Sequence, residues 1–410
     1  MKKFNNIYYV ISDNKKDNEF VGFKIIDNKP IVFYPRAYRV NTNDFNLFKR
    51  DIIHILKSIS LAKQKSKAAN SLFTKKTDEY ELPIDSMLWL LEDYIKNGYY
   101  IEVEKVSKLN ENGRINWKKT IQTQQPIISN ASFIYKSIIV DKHEARNSLI
   151  SEIYKYAVLK SHQIIGWIYN YKIEITSTIK YDLDFFISSI KKELQKTFLD
   201  IKIERLAHIL NVLTGLDSIL RNSKNFSYGV NNYDVVFEKM VNELYGNVDN
   251  IKEYYPYAEW EIINNPTPQK SSDLRPDTII KSGENIYIID SKYYGFGGSK
   301  DVKDLPNTST IQKQITYGEY IEKKLNDENK LVKNAFILPY NKEDNIFELS
   351  SDVEYFGRAK SKWRNNDREY DFIQGIFVDI TFLIYNWNKK RKAHIQDLTS
   401  LIDSNSIDNH

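Results

Sequence analysis

The sequence predicts an α/β (α+β) protein in which a β-rich and helical N-terminal module precedes a core of mixed sheet flanked by helices. Three observations support this fold class. Runs of β-branched and aromatic residues alternate with Asp, Asn and Lys turns near the N-terminus. Apolar residues at helical spacing dominate the middle of the chain. The C-terminal part then follows the order helix, three strands, helix and strand, which fits a sheet with helices packed against it.

The elements of the first half follow from local patterns. Strands are predicted where β-branched and aromatic residues cluster between polar turns. They cover residues 7–11, 20–26, 30–34, 100–106 and 133–140. Helices are predicted where a polar cap precedes apolar residues that recur every three or four positions. They cover residues 43–69, 85–98, 148–168, 182–198 and 201–220.

A polar, unpatterned stretch at residues 221–225 marks the main predicted boundary. We expect three regions: an N-terminal β/α module at 1–145, a helical connecting region at 146–225 and an α/β domain at 226–410. The elements predicted in the last region are an amphipathic helix around 236–241, strands at 258–263, 278–280 and 286–292, a helix at 311–322, and strands at 335–339 and 375–380.

The most informative part of the last region is a predicted β-hairpin with charged residues at its open end. Asp277 opens the first strand, residues 282–285 form a polar turn, and Asp290-Ser291-Lys292 ends the second strand. Because side chains alternate along a strand, Asp290 and Lys292 project on one face and Ser291 on the other. Asp277 can reach the same place from the neighbouring strand.

These residue types suit metal-dependent hydrolysis of a phosphodiester. Two carboxylates can hold one or two Mg²⁺ (or Mn²⁺) ions, because such hard cations prefer oxygen ligands. The ion lowers the pKa of a bound water and neutralises charge on a phosphoryl oxygen. Lys292 has three candidate roles: to orient the attacking water, to help deprotonate it, or to stabilise the charge that develops on the phosphate. A surface hairpin with an ordinary Asp-Lys ion pair is the alternative interpretation.

Pro276-Asp277 with Asp290-Ser291-Lys292 resembles the PD-(D/E)xK nuclease superfamily, whose core is a mixed sheet flanked by helices. Two flanking features are similar to that superfamily as well. The resemblance implies that Glu238 is an additional acid of the metal site, supplied by the first helix of the core. It also implies that Gln314, on the helix after the catalytic lysine, positions the nucleotide or the lysine.

The segments at 113–121 and 289–294 resemble the LlaJI-type restriction endonucleases, which are McrC-like nuclease subunits. The resemblance extends from about residue 85 to the C-terminus. It implies a restriction, or anti-phage defence, subunit that docks on a separate McrB-like AAA+ GTPase, expected to be hexameric, and stimulates its GTP hydrolysis. That motor would recognise and translocate double-stranded DNA, and the first region (1–145) would be its stalk-like docking module. The last region (226–410) would be the nuclease.

Two sets of residues are candidates for binding. Arg114, Trp117 and Lys118 are candidates for contact with the motor, and the alternative is a packed loop in which Trp117 is a local anchor. Four cations alternate with other residues near the C-terminus and would lie on one side of an extended segment, where they could contact DNA phosphates. A solubilising surface is the alternative for them. These four are Arg358, Lys360, Lys362 and Arg364.

Composition excludes several other classes of protein. The chain has no cysteine, which excludes disulfides and thiolate zinc sites, and its six histidines are scattered. No segment approaches the roughly 18–20 apolar residues of a membrane span, so we expect no membrane partner and a cytoplasmic location. The sequence contains no phosphate-binding loop of the Walker type, so any nucleotide-driven motor must be a separate protein.

Two functions from other classes stay open at this point. One is a stand-alone nuclease of the same fold that acts on RNA or on recombination intermediates. The other is a non-catalytic regulatory subunit of an AAA+ complex. The intact set of Asp277, Asp290 and Lys292 favours catalysis over the second alternative.

Overall fold

The structure is a computed structural model that describes residues 1–13, 18–27, 29–64, 83–129, 132–169, 171, 173–174, 182–222, 226–325, 330–365 and 367–406. The chain divides into two compact units. Met1–Tyr80 and Lys224–His410 together form the first, and Glu81–Ser223 forms the second.

The chain passes from the first unit to the second and back. The first unit opens with β1 (Lys2–Phe4), β2 (Ile7–Ile11), β3 (Val21–Ile26), β4 (Lys29–Tyr34) and α1 (Phe45–Gln64). The second contains α2 (Ile84–Asn97), β5 (Glu102–Leu109), β6 (Arg114–Ile115), α3 (Trp117–Thr123), β7 (Ile127–Ser129), β8 (Ser132–Ile134), β9 (Ile139–Arg146), α4 (Leu149–Ile165), α5 (Leu183–Leu194) and α6 (Asp200–Asn222). The first unit resumes with β10 (Phe226–Val230), α7 (Tyr233–Tyr245), β11 (Glu259–Trp260), β12 (Gln269–Lys270), β13 (Thr278–Ser282), β14 (Asn285–Ser291), α8 (Phe296–Ser299), α9 (Thr308–Leu325), β15 (Val332–Tyr340), β16 (Val353–Lys360), β17 (Phe372–Asp379), α10 (Ile380–Asn386) and α11 (Lys392–Ser404).

An N-terminal sheet with the strand order β1-β2-β4-β3-β10 joins the two segments of the first unit. β10 is antiparallel to β3, with Gly229 opposite Gly22. A Cβ atom at Gly22 would lie 2.1 Å from the carbonyl oxygen of Tyr228, so this close pairing requires glycine. The pairing explains why the first eighty residues group with the C-terminal segment, whereas the predicted division placed a boundary at residue 145.

The central sheet of the first unit has the strand order β13-β14-β15-β17-β16. β14, β15 and β17 are parallel, and the edge strands β13 and β16 are antiparallel to their neighbours. Ile288 and Phe336 pack with side chains of α9 in one buried cluster. Tyr287 points to the opposite face, where its hydroxyl donates to Asp403 of α11 at 2.8 Å. The sheet is therefore mixed and has helices on both faces, which confirms the predicted α/β class.

In the second unit, α2, α4 and α6 pack together around a buried ion pair. The Nε atom of Arg205 in α6 donates to Asp93 of α2 at 3.0 Å, and the hydroxyl of Tyr154 in α4 donates to the same carboxylate at 2.9 Å. The unit also contains a sheet of order β5-β9-β6 and the separate hairpin β7–β8. The single strand predicted at 133–140 is thus divided between β8 and β9.

Most of the predicted elements are present with shifted ends. Asp44 caps α1 as predicted, since its Oδ1 accepts a backbone N–H of the first turn at 2.7 Å. The predicted end of this helix at residue 69 lies outside the described residues. The strand predicted at 258–263 is reduced to β11, because the chain turns at Asn264, where φ is +65°. The sequence does not predict β16, whose Gly357 and alternating cations obscure the strand pattern.

Candidate active site

Asp277 and Asp290 face each other across the β13–β14 hairpin. Thr278 stands opposite Ile289 in this antiparallel pair, so the next position places Asp277 opposite Asp290. Opposite residues project on the same face, with Cβ atoms about 5 Å apart. The Oδ2 atom of Asp277 accepts the backbone N–H of Ser291 at 2.8 Å, which fixes this carboxylate beside the second strand. The register therefore brings the two predicted acids together.

Lys292 follows β14 directly and forms an ion pair with Asp290. Its backbone N–H donates to the carbonyl of Ile337 in β15 at 2.8 Å, which continues the pairing of β14 and β15 by one residue. Burial lowers the pKa of Lys292, but the charges of Asp290 and Asp277 raise that pKa above its usual value. The side chain is therefore an ammonium group at neutral pH when no metal competes for the carboxylates.

Glu238 in α7 is close enough to interact electrostatically with Asp277 and Lys292. Burial raises the pKa of Glu238 to about 7; the charge of Lys292 opposes this rise, and the charges of Asp234 and Asp290 add to it. Burial raises the pKa of Asp277 well above its usual range, and the charges of Asp290 and Glu238 raise it further. Buried acids that repel one another in this way are typical of functional sites.

The donor set fits a hard divalent cation. Asp290 is 2% exposed, and its Oδ1 atom has no hydrogen-bond partner among the residues that the structure describes. Mg²⁺ binds through one or two carboxylates and completes its shell with water and phosphate oxygens. Over the described parts of the chain, no three or more His, Cys, Asp or Glu side chains are arranged to hold an ion. An ion at Asp277 and Asp290 would therefore take part of its shell from water and substrate.

A comparison with models of protein families adds independent information. The model of the LlaJI restriction endonuclease matches residues 20–358, a range that contains Asp277, Asp290 and Lys292. The chain belongs to the LlaJI restriction endonuclease family. It is accordingly a restriction nuclease, and its substrate is DNA. A search of curated proteins found no match. Of the helices that the structure describes, none is both long and apolar enough to cross a membrane.

In this LlaJI-family chain, a tyrosine fixes the loop that precedes Asp277. The hydroxyl of Tyr317 in α9 donates to the carbonyl of Arg275 at 2.8 Å, two residues before the acid. Burial raises the pKa of Tyr317, and the charges of Asp290 and Asp277 raise it further, so the phenol stays protonated and remains a donor. Its position three residues after Gln314 was visible in the sequence, but its contact with the loop was not.

Gln314 is buried between α9 and the central sheet. This residue of α9 is 1% exposed, and its Nε2 atom donates to the carbonyl of Ile288 at 2.9 Å and to Asn334 at 3.3 Å. The side chain of Asn334 donates in turn to the carbonyls of Gln314 and Tyr370, at 3.0 and 2.7 Å. These bonds tie α9 to β14 and β15. A contact of Gln314 with the nucleotide or with Lys292 stays a prediction.

Tyr293 connects the active-site strand to the N-terminal segment, and sequence reasoning missed it. The Tyr293 side chain is buried, and its hydroxyl accepts the backbone N–H of Arg36 at 2.6 Å. Its ring lies 5.5 Å from the rings of both Tyr233 and Phe237 in α7. Phe237 directly precedes Glu238, so this packing positions the glutamate relative to the acids of the hairpin. The sequence signals were an aromatic residue next to Lys292 and its place in the family-like segment 289–294.

The four predicted DNA-binding cations do not form one uniform row. Arg358 and Lys360 lie at the end of β16, 5.0 and 5.8 Å from the ring of Phe372. Lys362 is exposed beyond the strand. Arg364 instead forms ion pairs in the same unit, with Glu319 at 3.4 Å and Asp371 at 3.6 Å. β16 ends at residue 360, so the extended geometry that would align all four holds only for Arg358 and Lys360, and contact of the four with DNA stays a prediction.

The predicted partner-binding residues lie together in the second unit. Arg114 is exposed in β6, and Trp117 begins α3 with 54% of its surface exposed. Lys118 follows it and is exposed as well. The local anchor is Asn116, whose side chain donates to Asp141 at 2.9 Å and accepts the Lys119 N–H at 3.0 Å. Trp117 is therefore presented to solvent rather than packed as an anchor.

Proposed function

We propose that this member of the LlaJI family is a Mg²⁺-dependent endodeoxyribonuclease with a PD-(D/E)xK active site. The observation that carries the proposal is the cross-strand pair of Asp277 and Asp290, with Lys292 bonded to the second acid. Like charges placed directly opposite each other destabilise a sheet. A chain that keeps such a pair, with Asp290 buried, Asp277 half-buried and Glu238 beside them, gains from a divalent cation that neutralises the repulsion.

The chain's residues have distinct roles in the proposed reaction. Asp277 and Asp290 would hold Mg²⁺ (or Mn²⁺), with Glu238 as an additional or tuning acid. The bound ion supplies a water of lowered pKa and neutralises charge on the phosphate. Lys292 would release Asp290 to the ion and turn its ammonium group toward the scissile phosphate, where it stabilises the developing negative charge. Its raised pKa supports this cationic role over that of a general base.

We further propose that cleavage requires a partner, a separate McrB-like hexameric AAA+ GTPase, in the cytoplasm. The support is an exposed apolar surface in the second unit. The hairpin β7–β8 presents Ile128 and Phe133, which are 73% and 67% exposed and stand opposite each other. Exposed apolar surface of this kind marks protein interfaces. Arg114 and Trp117 are exposed in the same unit and would extend this contact.

The test of the nuclease proposal is DNA cleavage by an Asp290→Ala variant. We expect the rate to fall more than about 100-fold, since a metal ligand is lost, while binding to the motor is unchanged. The matched control is Glu284→Ala, which removes an exposed acid from the turn of the same hairpin. Cleavage by Asp290→Ala at the wild-type rate would remove the proposed site. Cleavage by the wild-type chain without any NTPase would favour the stand-alone nuclease and remove the motor requirement.

A further inference from the structure

One row of residues runs across the central sheet from the active site to its far edge. Asp290 in β14 is in register with Phe336 in β15, and Phe336 is in register with Gly375 in β17. Gly375 is in turn opposite Gly357 in β16. Neighbouring strands are about 4.8 Å apart, so Phe336 begins one strand spacing from the catalytic acid. The row therefore links the metal-binding position to two glycines.

A cavity of about 590 Å³ lies over the glycine end of this row. Its walls include the rings of Phe296, Phe336 and Phe356. The register of β16 shifts between Tyr355 and Gly357, which makes Phe356 the extra residue of a β-bulge. A Cβ atom at residue 375 would lie 2.5 Å from the Phe356 ring, so the ring covers the position left open by that glycine. A β-bulge commonly redirects a side chain in this way.

The mouth of the cavity is cationic. Arg358 and Lys303 both line the cavity and are both exposed. The guanidinium group of Arg358 lies over the ring of Phe372, 5.0 Å from its centre. An apolar, aromatic interior with two cations at its entrance complements a planar aromatic group that carries a phosphate. A nucleotide has this chemistry.

We propose that the cavity receives one unstacked nucleobase of the DNA substrate. The volume is within the range of sites that bind small organic groups. Every base offers a π-face for stacking on the phenylalanines, and the phosphate pairs with the cations at the entrance. A base inside a duplex must leave the stack to enter, so the nuclease would favour positions where unpairing is least costly. The inference depends on the proposed cleavage site at Asp290, which places DNA within reach.

The experiment measures binding of deoxyadenosine 5′-monophosphate and of 2-deoxyribose 5-phosphate to the full chain, by calorimetry or by ligand-observed NMR. We expect the nucleotide to bind more tightly than the sugar phosphate, because only the nucleotide carries a base. Ala359 lines the cavity and is half-buried, so Ala359→Phe would fill it, whereas Ala359→Ser is the matched control. The filled variant should lose about tenfold or more in nucleotide affinity, and the serine variant should not.

A second variant covers the case in which Ala359→Phe fails to fold, as judged by its melting curve. Phe356→Leu keeps an apolar wall but removes one π-face, and nucleotide affinity should fall several-fold. Equal binding of the two ligands, or nucleotide binding that survives both substitutions, overturns the cavity proposal. DNA cleavage by Asp290→Ala is measured alongside. If Asp290→Ala still cleaves DNA while nucleotide binding changes as expected, the proposed active site is wrong and the proposed base-binding cavity is supported.

Discussion

Glu238→Gln should make the metal-free protein more stable at alkaline pH. Because the pKa of Glu238 in the folded protein is about 7, above its usual 4.5, the folded state binds this proton more tightly than the unfolded state does. The stability that the bound proton of Glu238 contributes is fully present below pH 4.5 and is lost as the pH rises through 7. Glutamine keeps the shape of the side chain and cannot ionise.

The size of the effect follows from the same pKa. The difference between 7 and 4.5 corresponds to at most about 3–4 kcal/mol of folding free energy. Part of the pKa shift comes from repulsion by Asp234 and Asp290, and Glu238 is only half-buried. We therefore expect Glu238→Gln to be more stable than the wild type by about 1–3 kcal/mol at pH 8. Below the usual pKa of a glutamate, variant and wild type should be equally stable, because both side chains are then neutral.

The assay is urea unfolding in the presence of a chelator, at pH 4, 6 and 8. Glu284→Gln, at an exposed turn position, is the control and should behave like the wild type at every pH. Adding Mg²⁺ at pH 8 should stabilise the wild type more than Glu238→Gln, because the ion favours the ionised acid. A variant that is less stable than the wild type at pH 8, or a difference that does not change with pH, would refute the reasoning.

Three further predictions follow from single contacts. Tyr317→Phe removes the hydrogen bond to the Arg275 carbonyl and should lower the free energy of unfolding in urea by about 1 kcal/mol. Single-turnover cleavage should slow about tenfold, because the loop before Asp277 is then held less firmly. Asn334→Ala removes buried hydrogen bonds to Gln314 and to the carbonyl of Tyr370 and should cost about 2–4 kcal/mol, measured in the same way. Arg114→Ala should leave the nuclease active site intact but should stimulate GTP hydrolysis by the added motor less than the wild type does. If the variant stimulates GTP hydrolysis as strongly as the wild type, the predicted contact is contradicted.

The hairpin was predictable because its signals are local. A polar turn fixes the register, and the register alone places Asp277 opposite Asp290. The apolar residues that lead to Asp290 are those of a strand buried on both faces. Local pattern, turn chemistry and side-chain alternation therefore sufficed for the acid pair and for Lys292.

Other parts of the structure depend on contacts between distant segments. The pairing of β10 with β3 joins residues about two hundred positions apart, and no local sequence pattern predicts this pairing. The edge strand β16 contains Gly357 and a bulge, which break the alternation of a regular strand. Gln314 carries an amide that suits both a ligand contact and a buried bond, and the sequence does not show that its Nε2 atom donates to the carbonyl of Ile288. Sequence therefore indicated the positions of the two acids and the lysine better than the contacts that surround them.

The central claim is that Asp277 and Asp290 together hold the divalent ion that cleaves DNA. The most direct measurement is Mn²⁺ binding to the protein with a DNA duplex, followed by electron paramagnetic resonance. The wild type should bind Mn²⁺, and both Asp277→Asn and Asp290→Asn should lose at least about tenfold in affinity. Mn²⁺ affinity that is the same in the wild type and in both variants would contradict the claim.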